Sequence, residues 1–324
     1  MRHLVWFGLL GCGGGDGLGP ADALPIGNDA VDVGPDAPMP PTHHYVANQF
    51  LLPMSTYPEP PYSLDLTGDG VVDNKFARMF VNLGWPYGTG TFSFLTGTTR
   101  SIDSGELVDL FELATDDYAT SQYATFLTLI GGDPVPAGCI DSNDTTCRRH
   151  LDGNGQFTAL PTDATPLVGT IANGTFLGGP GHAVVQLTTA GSSMHIVLPI
   201  IGARAQASMP SDDGIVAGIL AGGVRVVDID LILLPALRDG FTTLVNRDCN
   251  DLTAPPQCGC TPNSDGKSVA GVFDTSPRDC VITVPELRAN PDLAPLLTGD
   301  LTIEGVAATS IGVGFTAVRA AFAH

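Results

Sequence analysis

The chain has 324 residues, with 14 Lys and Arg against 34 Asp and Glu, so its formal net charge is -20. This acidity makes nucleic acid and anionic membrane faces poor partners, because both repel such a chain and the longest run of basic residues is the pair Arg148-Arg149. Hydrophobic residues make up 43% of the chain, enough for a buried core, and 40 Gly with 26 Pro favour turns and short strands over long helices.

The first twelve residues follow the order of a bacterial export signal. Arg2 precedes an apolar run over residues 4–10, which is too short to span a bilayer, and Gly11 and Cys12 follow. The segment Leu-Leu-Gly-Cys at 9–12 resembles a lipobox, in which signal peptidase cuts before a lipid-modified Cys. The resemblance implies a signal peptide over 1–11 and an outer-membrane lipoprotein anchored through Cys12, facing the periplasm or the cell surface. A plain secretory peptide or a buried free cysteine is the alternative.

Residues 12–43 have the composition of a disordered lipoprotein tether. They consist mainly of Gly, Asp, Ala and Pro, and such a segment buries too little surface to offset its ordering entropy. The remaining residues, 44–324, contain no second linker and no internal repeat, so we expect a single domain. Its best apolar stretch, 215–237, is interrupted by charged residues, which places the folded part outside the bilayer.

The cysteine count predicts disulfides. Seven Cys minus Cys12 leaves an even number, which suits three bridges in an oxidising envelope. The six cysteines are Cys139, Cys147, Cys249, Cys258, Cys260 and Cys280. The first two close a short polar loop and are expected to pair. Cys258 and Cys260 are too close to pair easily, so each is expected to take Cys249 or Cys280. A zinc site is the alternative, but the Cys-Gly-Cys spacing and the lack of a nearby His disfavour it.

Short apolar runs bounded by Gly, Asp or Pro predict strands. The last run alternates in part, with Ile311, Val313 and Phe315 against Gly312 and Gly314, as expected of a strand with one face on a core. The predicted strands are 106–114, 123–130, 183–188, 194–201, 203–209, 301–306 and 310–322.

Three segments carry the helical period instead. The predicted helices are 74–83, 230–246 and 284–297; Pro235 should bend or restart the second, and Pro291 should cut the third. The fold class is therefore mainly β with helices (α+β). The expected architecture is an antiparallel β-sandwich or barrel-like sheets with about three short helices.

The segment 65–74, DLTGDGVVDN, has the spacing of a calcium loop. Calcium needs several hard oxygens at about 2.3–2.6 Å, and alternating Asp positions around a turn glycine allow a short loop to supply them. Positions 1, 3, 5, 7 and 9 of the loop are Asp65, Thr67, Asp69, the Val71 carbonyl and Asp73, with Gly70 at the turn. These residues are the predicted calcium ligands.

The loop departs from an EF-hand at position 12, where Phe76 replaces the bidentate Glu. It resembles more closely the linear calcium loops of dockerins and thrombospondin type 3 repeats, although it occurs once. The alternative is an Asx-turn with a helix cap and no metal. The segments 141–144 and 152–155 are predicted turns, with a second ion site as their alternative.

Over its whole length the chain resembles uncharacterised envelope lipoproteins of myxobacterial type. The shared features are the G-D-G-x-x-D-N loop at 68–74, the Cys-Gly-Cys element at 258–260 and a C-terminal strand like 312–318. The resemblance implies an envelope location and this architecture, but no activity.

The leading functional hypothesis is a lipid-anchored, calcium-stabilised envelope protein whose β-rich domain has a structural role or binds a glycan or protein ligand. The sequence shows no nucleophile, base and orienter set, so catalytic residues are unassigned and a non-enzymatic role is favoured. Two alternatives stay open. One is a secreted hydrolase that uses two Asp carboxylates with separated pKa values, and the other is a carrier that encloses a hydrophobic ligand.

Overall fold

The computed structural model describes residues 40–56, 59–84, 94–188, 195–208, 212–249, 259–275 and 277–323. Along these ranges the elements are β1 (Thr42–Leu51), α1 (Phe76–Gly84), α2 (Phe94–Ser104), β2 (Asp109–Ala114), β3 (Ser121–Val135), β4 (Gln156–Leu160), β5 (Leu167–Ala172), β6 (Thr175–Thr188), β7 (His195–Ser208), β8 (Gly214–Arg225), α3 (Leu234–Asp248), α4 (Asp265–Phe273), α5 (Val284–Ala289), β9 (Leu301–Ile303), β10 (Val306–Arg319) and β11 (Ala321–Ala323). Short helical turns cover Val226–Asp228, Ile229–Leu233, Arg149–Leu151 and Ala294–Thr298.

Eight of the strands close into an antiparallel barrel in the order β3-β2-β1-β10-β8-β7-β6-β5, and β5 closes it by pairing with β3. Outside this ring, β4 pairs with β3, β11 lies parallel to β4, and β9 forms a hairpin with β10. The predicted fold class is confirmed, and of the two architectures predicted it is the barrel that forms. None of the helices in the described ranges is both long enough and apolar enough to cross a bilayer.

The predicted alternation in the last long strand is confirmed in β10. Ile311, Val313 and Phe315 are fully buried and face the barrel interior. On the outer face, a Cβ atom at Gly314 would lie 2.4 Å from the Tyr62 ring, and one at Gly312 would lie 2.2 Å from the Tyr62 carbonyl. The two outward glycines therefore allow the chain segment before the 65–74 loop to lie directly on the strand.

Large aromatic side chains fill the barrel. The Phe111 ring centroid lies 4.5 Å from that of Phe315 and 5.3 Å from that of Phe126, which in turn lies 5.7 Å from Phe176. A Cβ atom at Gly218 would come within 2.3 Å of the Phe315 ring, so even a methyl group has no room at that position. The interior is a packed core of buried side chains rather than a cavity.

The predicted strands agree with the structure, but their ends do not. The structure shows that 106–108 precede β2, and that a single strand, β7, covers the described residues of both 194–201 and 203–209. The register of β7 against β8 shifts between Ile201 and Arg204, around Gly202 with its φ of 58°, and this bulge is what divides the pattern in the sequence. The sequence prediction missed β1, β4, β5, β8 and the first half of β6.

The three predicted helices form, with corrected starts. Asn74 caps α1 rather than beginning it, since its side-chain oxygen accepts from the Ala77 N–H over 3.1 Å. Pro235 does not restart the second helix: the backbone stays helical from Val226 to Asp248, with a π-helical turn over Ile229–Leu233 directly before α3, and Leu231 in that turn is 68% exposed. Thr283 and Glu286 form a capping box on α5, which ends before Pro291 as predicted. Helices α2 and α4 were not predicted.

Two of the predicted disulfides are present. Cys139 pairs with Cys147, and Cys260 pairs with Cys249, so these sulfurs do not bind zinc. Cys280 is also disulfide-bonded. Cys258 lies outside the described residues, as do Cys12, the predicted signal peptide and residues 12–39 of the predicted tether. The domain begins with β1 at Thr42, two residues before the predicted boundary at 44.

Candidate functional site

The carboxylates of the 65–74 loop bind the loop's own backbone. Asp65 accepts the Gly68 N–H with one oxygen over 2.6 Å and the Gly70 N–H with the other over 2.8 Å. These bonds, that from Gly70 first, lower the pKa of Asp65 because they favour the charged carboxylate. Asp69 accepts the Val71 N–H over 2.9 Å, which forms an Asx-turn.

Asp73 closes the loop. One of its oxygens accepts the Leu66 N–H over 2.8 Å and the Thr67 N–H over 3.3 Å, while its own N–H donates to the Leu64 carbonyl over 2.9 Å. Within the described ranges, no group of three or more His, Cys, Asp or Glu side chains is arranged to hold a metal ion. The five predicted ligands thus lie in one loop, joined by hydrogen bonds, and calcium binding there stays a prediction.

The exit of the loop is fastened to the barrel. The buried Asn74 donates through its Nδ2 to the Gly312 carbonyl over 2.9 Å, and the Lys75 N–H donates to the Ser310 hydroxyl over 2.7 Å. Since both acceptors are on β10, the loop and the start of α1 are held against the outer wall of the barrel.

A cleft of about 570 Å³ beside this loop contains Asp73 and Asp300. Burial raises the pKa of Asp73, and the negative charges of Asp300 and Asp69 raise it further. Two Asp side chains in one cleft, one of them with a raised pKa, are what the hydrolase alternative predicts. However, Asp73 holds the loop through Leu66 and Thr67, and Asp300 accepts the Ser310 N–H over 2.8 Å. Both carboxylates therefore already hold the surrounding backbone by hydrogen bonds.

A larger cleft, of about 990 Å³, lies between α2 and the loop closed by the Cys139–Cys147 disulfide. We call it the α2 cleft. Most of its lining residues have polar side chains, although apolar atoms form the larger part of the exposed lining surface; the lining comprises Leu95, Thr96, Thr99, Arg100, Asp103, Ser104, Glu106, Cys139, Asp141, Ser142, Asp144, Thr145, Cys147 and Arg148.

The helical period divides α2 between the core and the cleft. Its buried face consists of Phe94, Gly97, Thr98, Ser101 and Ile102. The residues between them turn the other way and line the cleft. The buried Thr98 fixes the helix to the barrel, because its hydroxyl accepts the Thr188 N–H over 3.1 Å. One wall of the cleft is therefore a helix face with a fixed position.

The second wall is held by the disulfide and by Asp144. The Asp144 carboxylate accepts the Ile140 N–H over 2.7 Å, the Thr146 N–H over 2.8 Å and an Arg149 N–H over 2.6 Å. The Arg149 guanidinium is the largest cause of the lowered pKa of Asp144, followed by the backbone bonds. A short cyclic loop with its carboxylate bonded in this way has little freedom to rearrange.

One ion pair joins the two walls. The Arg148 guanidinium contacts the Asp103 carboxylate on α2, and the Arg148 N–H donates to the Asp103 carbonyl over 2.8 Å. By contrast, Arg100 and Glu106 form neither an ion pair nor a side-chain hydrogen bond within the described part of the chain. The cleft therefore has fixed walls, and the charges of Arg100 and Glu106, together with that of Asp141, are available to a ligand.

Most of the α2 cleft was not predicted from the sequence. The segment 141–144 was predicted as a turn, and the turn is present: the Asn143 N–H donates to Asp141 over 2.8 Å. The segment 152–155 is likewise a turn, in which the Asn154 N–H donates to Asp152 over 2.9 Å. The one sequence signal for the cleft is the pair of cysteines around a polar loop. The helix wall lies about 40 residues earlier in the chain.

No family model, curated protein or solved structure matches this chain.

Proposed function

We propose that this protein is a lipid-anchored cell-envelope binding protein whose ligand occupies the α2 cleft. The anchor is Cys12, through which the chain contacts outer-membrane lipid, and the domain faces the periplasm or the cell surface. The disulfides support an oxidising compartment, since such bonds are rare in reducing cytosol. The N-terminal export pattern and the resemblance to envelope lipoproteins support the same location.

The observation that carries the binding role is the contrast between the filled barrel and the open cleft. Phe111, Phe126 and Phe315 occupy the interior, which disfavours a carrier that encloses its ligand there. The volume of the α2 cleft lies at the upper end of the range for small-molecule sites, about 300–1,000 Å³. The cleft is also largely pre-formed. A ligand therefore meets fixed walls and loses little free energy in ordering them.

Calcium has a stabilising part in this proposal. The ion would bind Asp65, Asp69 and Asp73, with Thr67 and the Val71 carbonyl, and would neutralise three carboxylates that lie within nine residues of one another. Because Asn74 and Lys75 tie the loop exit to β10, tightening the loop would also stabilise the barrel wall. The hydrolase alternative assigns Asp73 and Asp300 to catalysis instead.

Obstructing the cleft tests the binding role. Ser142 is exposed and lines the α2 cleft, so Ser142→Trp should fill it. Thr170 is exposed on β5, outside the cleft, and Thr170→Trp is the matched control. We expect the wild type and Thr170→Trp to bind the same members of a glycan array or the same isolated envelope fraction, and Ser142→Trp to lose that binding. Equal binding by both variants would contradict the proposal.

A further inference from the structure

We propose that the α2 cleft recognises an oligosaccharide that carries free amino groups. The inference rests on the proposed function and specifies the ligand class for the same cleft. Three properties of the cleft carry it, namely its hydroxyl groups, the charges left after internal pairing, and its size and shape.

Hydroxyl side chains are the commonest group in the lining. Thr96, Thr99 and Ser104 lie on the helix wall, and Ser142 and Thr145 lie on the disulfide wall. A Ser or Thr hydroxyl both donates and accepts hydrogen bonds, as a sugar hydroxyl does, so hydroxyls on both walls suit a polyhydroxylated chain. Leu95 is the one large apolar side chain among the lining residues.

The charges favour a cationic ligand over an anionic one. The lining contains the carboxylates of Asp103, Glu106, Asp141 and Asp144 and the guanidiniums of Arg100 and Arg148. Pairing with Arg148 neutralises Asp103, and pairing with Arg149 neutralises Asp144. What remains is Arg100 against Glu106 and Asp141, a local excess of negative charge.

An ammonium group complements the negative charges that internal ion pairs leave in the cleft. It can donate to the Glu106 carboxylate or to the second oxygen of Asp141, whose first oxygen accepts the Asn143 N–H. Arg100 then meets sugar hydroxyl or ring oxygens. The net charge of -20 acts in the same direction over longer distances, because it attracts cationic chains and repels chains of uronic acids.

The size fits a short oligomer. A volume of about 990 Å³ accommodates several sugar rings, and the cleft is open to solvent. None of the described residues that line it is aromatic, so hydrogen bonds and charge, rather than ring stacking, must select the ligand. This predicts a strong dependence of affinity on the amino group and on salt.

The test compares four probes by calorimetry on the full chain in detergent at low salt. They are glucosamine tetramer, its fully N-acetylated counterpart, galacturonic acid tetramer and trilysine. We expect the glucosamine tetramer to bind at least tenfold more tightly than each of the others. Acetylation removes the charge while it keeps the hydroxyls, and trilysine keeps the charge without them.

A substitution that removes one negative charge from the cleft provides a second test. Glu106→Gln should weaken glucosamine tetramer binding about tenfold, the effect of one charge-assisted hydrogen bond, with an unchanged melting temperature. Glu59→Gln changes the net charge equally at an exposed position outside the cleft and should leave affinity unchanged. Equal effects of the two substitutions would overturn the inference.

The probes also separate this inference from the proposed function. Equal or tighter binding of the acetylated, acidic or peptide probe, sensitive to Ser142→Trp, overturns the amino-sugar inference but leaves the cleft as the binding site. Absence of binding by all four probes overturns the inference as well. Envelope binding that Ser142→Trp does not change overturns the proposed function itself.

Discussion

Asp109 on β2 accepts the backbone N–H of Gln186 on β6 over 3.1 Å, although the two strands are not neighbours in the sheet. Two further side chains accept backbone N–H groups at alternate residues of β6. The Thr128 hydroxyl accepts from Val184, and the Thr98 hydroxyl accepts from Thr188. They replace strand pairing where β6 extends past β5, whose ladder with β6 ends at Gly178. Side-chain oxygens thus complete the barrel wall at this seam.

The first prediction concerns the charge of Asp109. It is 2% exposed, and its second oxygen has no hydrogen-bond partner in the described part of the chain. Burial raises its pKa well above the ordinary value, and the Gln186 bond only partly opposes this. Because the folded pKa lies above the unfolded value of about 3.9, the stabilisation is complete below that pH and is lost as pH rises toward the folded pKa.

Asp109→Asn keeps an acceptor for Gln186 and has no charge to bury. We expect it to match the wild type near pH 4 and to be more stable at pH 8 by about 1–3 kcal/mol, measured by denaturant unfolding at both pH values. The exposed Asp152→Asn is the control and should change neither value. A loss of stability at pH 8 in Asp109→Asn would show that the ionised carboxylate is tolerated.

The second prediction concerns the filled interior. Gly218→Ala inserts a methyl group against Phe315, where the nearest ring atom would lie 2.3 Å away, and should destabilise the barrel by about 1–3 kcal/mol. Gly271 on α4 has open space at the corresponding position, so Gly271→Ala should stabilise the protein by about 0.5–1 kcal/mol. Thermal melts of both variants give the comparison. A neutral Gly218→Ala would mean that the interior can expand, as a carrier requires.

The third prediction concerns calcium. The missing position-12 Glu should limit affinity to about 10⁻⁴–10⁻³ M, as in extracellular modules. At a calcium concentration of about ten times Kd, mass action adds about 1.4 kcal/mol, which raises the melting temperature by a few degrees at most. Asp69→Ala should abolish that rise. Asp152→Ala removes a comparable Asx-turn bond outside the loop and should retain it.

Identical wild-type melting curves in millimolar calcium and in EDTA, with no heat of binding, would contradict the calcium prediction. The loop would then be the Asx-turn and helix cap that its hydrogen bonds already form.

The fourth prediction concerns the anchor. Cys12 should be the mature N-terminus and carry lipid, with Gly13 after it rather than an Asp that would retain the protein in the inner membrane. Mass spectrometry of detergent-extracted protein should show a diacylated or triacylated Cys12, and Cys12→Ala should abolish the modification. Unmodified wild-type protein in the soluble periplasm would contradict the anchor.

The parts of the fold that were predictable are those in which one face is large and apolar. β10 shows its alternation because Ile311, Val313 and Phe315 face the core while small residues face outward. The sequence of β8 shows no such alternation, because two of its inward positions are glycines. Gly218 and Gly222 lie opposite Phe315 and Ile311. Side chains of the neighbouring strand fill the space beside those glycines, so the sequence of β8 alone does not indicate a buried face.

The helix of the candidate site was missed for a related reason. Helix α2 buries large apolar side chains only near its two ends, Phe94 and Ile102, and the buried positions between them are Gly97, Thr98 and Ser101, so its apolar stripe at helical spacing is interrupted. Between the two ends, the helix is held by close packing of these small residues and by the Thr98 hydrogen bond to β6. The cleft then depends on a distant disulfide loop meeting this helix, a tertiary relationship that spacing along the chain does not encode.

The most direct test of the account is NMR chemical-shift mapping on the isotope-labelled chain, titrated with solubilised envelope polysaccharide in saturating calcium. We predict that the perturbed backbone amides cluster on the exposed face of α2, around Arg100, and on the disulfide loop from Asp141 to Thr145. Shifts centred on Phe111 and Phe315 inside the barrel, or on Asp73 and Asp300 beside the 65–74 loop, would contradict the account.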